Sequence, residues 1–441
     1  MNNSEFVGFT SETKQTKKPK KISLFINLFL SSLILIAIIF GIYKLVILFS
    51  TSSKPEETIA FPKFELFLAD VTIEQIDEND KHIKYPGNSV TITTSDGPIS
   101  FDDVEIKGRG NQTLERQPKR SYQIKFKDQE SLLGYNKNKK WVLLTSFADY
   151  TSLRNDTAFY LEKLLNEQYT PDGNFVELFV DGRYHGLYYL ARKIEISKSS
   201  VNLSDPSGIL VEVDNIYGTT EECHRAKSGD CLTVKDLVNK DNENEKIQNF
   251  VENFNIANTA IKNKDFEKLK KIIDIDSFAR YYLLSEFTTN PDAYSTSFYM
   301  YRDKEDDKIY AGPGWDFDLA FGNKTWGAEG IDNETFHSPL TKEPLNNYLV
   351  PYIDYVSTII YDLMGIPEFE ARVEEIFKET MSGKKEELLN HIRSQAGYIR
   401  SAALRDQERW KLKTNFDEEV DYLLDWVSKR YDHFEETYNT D

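Results

Sequence analysis

The chain has 441 residues, with 54 Lys and Arg against 72 Asp and Glu, for a formal net charge of −18. Six lysines against two glutamates give residues 1–49 a net +4, which leaves −22 for everything after Phe49. An acidic body of that size argues against a nucleic-acid binder, which needs a basic face, and 40% hydrophobic with 13% aromatic residues argues against disorder.

In chain order, residues 1–21 are expected to be a cytoplasmic N-terminal segment and 22–43 a transmembrane signal anchor. Ile22 to Tyr43 carries no charge, and at ~1.5 Å per residue it spans the ~30 Å hydrocarbon core. Lys17, Lys18, Lys20 and Lys21 precede it, so the positive-inside rule puts the N-terminus in the cytoplasm and the body outside. A cleaved signal peptide would need a small-x-small site, which the flank KLVILFSTSSK lacks. Residues 44–62 read as a linker, and 63–441 as one catalytic-sized body.

From Phe64 to about Tyr217 the body is strand-rich. FELFLADVTIEQI, SVTITTSD, DDVEIKG, SYQIKFK, KWVLLTSF, NFVELFVDGRYHGLYYLARKIEI and GILVEVD all alternate β-branched or aromatic residues. Asp181-Gly182 marks a hairpin, and Thr151 to Gln168 is an interrupting helix. Cys223 and Cys231 are the only cysteines; they form either a short-loop disulfide, suited to an oxidising compartment, or a pair of free thiols. From Asn239 helices dominate, broken by a short hairpin from FYMYRD to IYAGPGWDFD. The fold class is α+β, with a strand-rich front and a helical back.

Three segments set polar groups in apolar or glycine-rich frames. In GPGWDFDLAFGN, Asp316 and Asp318 stand among Trp, Phe and Leu. Burying an ionised carboxylate is costly without a compensating cation, and Mg2+ favours such oxygens; a helix cap plus a salt bridge is the simpler alternative. In TNPDAY, Pro291 ends a helix and presents Asp292 from a loop. A loop Asp about two dozen residues before a metal carboxylate is the order found in phosphoryl-transfer enzymes, although Asn-Pro-Asp is also ordinary turn chemistry. In KGRGN and KRSYQIKF, Lys125 and Gln123 share the strand face opposite Tyr122, Ile124 and Phe126. Lys125 could contact nucleotide phosphates, and the glycines around Arg109 could admit an anion. An exposed basic strand explains the same residues.

The segments KGRGN, KRSYQIKF, SLLG, KKWVLLTSFADYTSLRN, VELFVDGRYHGLYYLARKIE, SEFTTNPDAYSTSFYMYRD and AGPGWDFDLAFGN occur in this order from about Ile106 to Gly327. Together they resemble the CotH family of spore-coat-type atypical protein kinases. The resemblance implies an atypical protein-kinase-like fold that binds ATP with Mg2+ and phosphorylates Ser or Thr. It implies Asp292 as the catalytic Asp, Asp316 as the metal ligand with Asp318 beside it, and Lys125, Arg109 and Lys119 as nucleotide-binding residues. This chain departs from the family where Ser121 and Gln123 replace a Pro and a basic residue. It departs again where Arg192 precedes Lys193 in place of an acid, with Glu195 a candidate partner for Lys193. The expected function is a membrane-anchored kinase acting on surface or envelope proteins. Nucleotidyl transfer or modification of a non-protein polymer is one alternative, and a non-catalytic envelope scaffold another.

Overall fold

A computed structural model describes residues 61–111, 117–215, 223–303, 307–324 and 359–439. The chain divides into two units, Met1–Ala60 and Phe61–Asp441, and the described residues all belong to the second. The expected anchor at 22–43 lies outside them, as do residues 1–21 and all but the end of the 44–62 linker. Among the described residues no helix is long and apolar enough to cross a membrane.

Strand β1 (Lys63–Phe67) leads into a short helix, α1 (Ile73–Glu78). The alternation in FELFLADVTIEQI predicts strand as far as Ile76; the strand stops at Phe67 instead, and the helix after it is capped by Thr72. Its hydroxyl accepts the Gln75 amide while Gln75 Oε1 accepts the Thr72 amide, a reciprocal cap that satisfies two amides left open by the first helical turn. Then come β2 (Tyr85–Thr94), β3 (Gly97–Arg109), β4 (Ser121–Glu130), β5 (Asn138–Leu144), helix α2 (Arg154–Leu164), β6 (Gly173–Val180) and β7 (Arg183–Arg192). Between β6 and β7, Asp181 and Gly182 take φ of 49° and 74°, the turn that matches the twist of a hairpin.

The seven strands close into a barrel in the order β1-β2-β3-β4-β5-β7-β6, antiparallel throughout except where β6 runs parallel to β1. Side-chain parity explains why it packs on both faces. Tyr122, Ile124 and Phe126 of β4, with Trp141 and Leu143 of β5, fill the barrel interior. Val142 of β5, Phe175 of β6 and Tyr189 of β7 point the other way and join a second core built on α2. Each side chain buried in this way contributes on the order of 1.5–3 kcal/mol.

The second core lies under a five-stranded sheet. Its strands are β8 (Ile209–Val213), β9 (Cys223–Arg225) and β10 (Cys231–Leu237), and, after helices α3 (Glu243–Lys262), α4 (Phe266–Leu269) and α5 (Ile275–Thr288), β11 (Phe298–Arg302) and β12 (Tyr310–Ala311). The order is β12-β11-β8-β10-β9. A disulfide joins Cys223 to Cys231 across the paired β9 and β10. Helix α5 is the centre of this half: from Ser277 to Thr288 every residue except Arg280 is buried. The tail adds α6 (Ile359–Leu363), α7 (Pro367–Thr380), α8 (Lys385–Trp410) and α9 (Phe416–Tyr438). The architecture is α+β, strand-rich first and helical after.

Candidate active site

A cleft of about 430 Å³ is lined by β3 and β4 on the barrel side, by β8 and β10 on the sheet side, and by two loops that follow α5 and β12. Arg109, Asp292, Asp316 and Asp318 all line it.

The acidic loops are built locally. Helix α5 stops at Thr288, Thr289 turns left-handed with φ 46°, and Pro291 opens a single 3₁₀ turn, Pro291–Tyr294. Asn290 caps that turn: its Oδ1 accepts the Asp292 amide at 3.2 Å, and its Nδ2 donates to the Asp316 carbonyl at 3.0 Å. One side-chain amide therefore ties the Asp292 turn to the Asp316 loop. In that loop Trp315 and Phe317 are buried, so the acids between and beyond them are turned to the cleft. Asp316 holds a left-handed φ of 68°, an uncommon conformation outside glycine that marks a constrained position. The Asn323 side chain donates to the Asp318 carbonyl at 2.6 Å and to Ala148 O at 2.8 Å. Across the cleft, the Arg109 guanidinium sits 5.0 Å from the Trp315 ring centre, a cation–π contact.

The charges are out of balance. Asp292 is pushed up to about 7, first by burial and then by Asp316 and Asp214. Burial also raises Asp318 well above the usual carboxylate range, reinforced by Asp316, Asp292 and Asp149. Burial raises Asp316 as well, and Arg109 opposes the rise. Acids placed to repel one another leave room for a cation. Among the described residues no three His, Cys, Asp or Glu side chains converge into a ready-made metal cage. Mg2+ needs none, since it takes one or two carboxylates and completes its shell with phosphates and water. Asp316 and Asp318 fit an ion of that kind when it arrives with a phosphate.

The sequence-derived cationic residues fare differently. Arg109 reaches the cleft, and Lys119 and Lys125 do not. Lys119 is fully buried, donating to both Asp406 oxygens at 2.8 and 2.9 Å and to Leu187 O at 2.6 Å; an ammonium so enclosed has no contact left for a phosphate. Lys125 lies on the same strand face as Ser121 and Gln123, which do line the cleft, but one pleat further on, ~7 Å along a strand per two residues. There it faces Glu105, at 3.7 Å. The cleft's lysines are instead Lys81, Lys107, Lys193 and Lys235. Lys235 is paired with Glu212 at 2.6 Å. Lys193 is pushed down to about 8, first by burial and then by Lys140. Glu195, its expected partner, is bound to Lys140 at 2.6 Å. Arg192 is turned to Asp172.

Sequence reasoning also missed Asp214, which lines the cleft beside Asp292 and accepts the Thr296 hydroxyl at 3.0 Å. Its only sequence signal is an acid closing the strand GILVEVD.

A strand-built barrel facing a helix-supported acidic loop pair, with basic and acidic side chains lining one cleft, suits an anionic ligand carried with a cation. The chain belongs to the CotH family: the family model described as CotH kinase protein matches residues 106–434. Membership assigns it to a kinase-like class. No curated protein matches the chain.

Proposed function

We propose that this protein is an Mg2+-dependent kinase that transfers the γ-phosphate of ATP to a Ser or Thr hydroxyl of a surface or envelope protein. The observation that carries the reading is the meeting of Asp292, Asp316 and Asp318 with Arg109 and Lys193 in one cleft. Asp292 is the base that accepts the acceptor hydroxyl's proton, and its raised affinity for that proton suits the task at neutral pH. Asp316 and Asp318 would hold Mg2+, which when bound would neutralise charge on the phosphates. Arg109 has the nucleotide-binding role expected of it from sequence, and Lys193 takes the role expected of Lys125 and Lys119, stabilising charge as it develops on the transferred group.

The placement of this activity is part of the proposal. Residues 63–441 form one kinase-like domain, held outside the cytoplasmic membrane by the anchor at 22–43. The Cys223–Cys231 disulfide supports an oxidising compartment.

Incubation with Mg2+ and γ-labelled ATP tests the chemistry. Label transfer is expected in the wild type, with a loss of about 10²–10⁴-fold in Asp292→Asn. Transfer from α-labelled ATP alone would replace this reading with nucleotidyl transfer. Absence of nucleotide binding at millimolar ATP would leave a scaffold.

A further inference from the structure

We infer that Glu162 is a positioning residue: with Asn155 and Arg154 it makes α2 a clamp that fixes the loop from Gly312 to Asn323 in the conformation presenting Asp316 and Asp318. The catalytic consequence rests on the proposed phosphotransfer; the clamp itself rests on geometry.

Three side chains of α2 take hold of the loop's backbone. Glu162 Oε1 accepts the Gly314 amide, Asn155 Oδ1 accepts the Phe317 amide at 2.9 Å, and Arg154 Nε donates to the Ala320 carbonyl at 2.9 Å. The grips fall before, between and after the two aspartates. Asn155 and Glu162 stand seven residues apart, about two helical turns, and so project from one side of α2. Arg154 is steadied in turn by an ion pair with Asp149.

The site is built around Glu162. The side chain has no solvent exposure, and its second oxygen has no hydrogen-bond partner among the described residues. An enclosed carboxyl group is an expensive way to fill space that a leucine would fill more cheaply; what it provides here is an acceptor for one backbone amide. Gly314 is shaped to the same contact. A Cβ there would come within 2.5 Å of Glu162 Oε1 and 2.8 Å of both Leu284 Cδ2 and Phe317 Cζ, so only glycine lets the loop approach.

Amide exchange of the full chain, free of metal and nucleotide, tests the clamp. Glu162→Leu removes the acceptor and Glu162→Gln keeps one. In Glu162→Leu the peptide spanning Gly312 to Phe321 is expected to exchange about tenfold faster, with barrel and α5 peptides unchanged. Glu162→Gln should stay near the wild type. Asn155→Leu, which loosens the other end, should produce the same local change and covers the case in which Glu162→Leu does not fold. In the phosphotransfer assay Glu162→Leu should raise the half-saturating Mg2+ concentration about tenfold, and glutamine should restore it. Unchanged exchange, acceleration spread over the whole domain, or a glutamine variant as loose as leucine would each overturn the inference. An inactive wild type would sink the phosphotransfer reading and leave the exchange result to decide the clamp.

Discussion

Asp292 is poised first by its burial and then by its acidic neighbours. A general base works only when ionised, so its pKa near 7 predicts an acid limb in kcat/KM around that pH. Asp214 is one of the two carboxylates that raise it. Asp214→Asn removes a negative charge, which favours the ionised form of Asp292, so the acid limb should move to lower pH. A pH–rate profile that stays in place, or moves up, would refute the assignment of Asp292 as base. At this scale the carboxylates were legible in the sequence and the lysines were not. Asp316 and Asp318 stood out because buried aromatic residues frame them, and Asp292 because Pro291 stops a helix just before it. Which lysine reaches the cleft depends on distant facts. Lys119 is claimed by Asp406, 287 residues away, and Lys125 misses the cleft by one pleat of strand.

Lys119 belongs to the scale of elements, because its ion pair fastens α8 to the barrel. Asp406 also accepts the Leu187 amide of β7 at 2.8 Å, and Gly186 leaves room for the approach: a Cβ there would lie 2.3 Å from Asp406 Oδ1. Removing one partner of such a buried pair strands the other's charge. Lys119→Ala should therefore cost about 3–5 kcal/mol in urea denaturation, and much less when Asp406→Ala is already present. An equal loss in both backgrounds would show that the pair is not the fastening. Strands and helices were readable from their periods of two and 3.6 residues. The α1 helix was hidden because an alternating pattern ran through it, and only the Thr72–Gln75 cap marks its start. The closure of the barrel was not readable at all, since β1 pairs with β6, Phe64 beside Leu178, across more than a hundred residues.

For the molecule as a whole, charge and topology make one prediction. If the positive segment stays in the cytoplasm and the acidic body lies outside, protease added to intact cells should digest residues 63–441. Complete protection of the body would remove the extracytoplasmic placement. Such a body would work among crowded neighbours, where open sheet edges invite strand-to-strand association. Here the barrel, closed by β1 against β6, offers no edge. The outer strands of the second sheet are the three-residue β9 and the two-residue β12. Backbone pairing with another chain therefore has almost nothing to grip on these two sheets. A partner that meets these two sheets must instead read side chains, so selectivity there is set by chemistry the sequence can change one residue at a time.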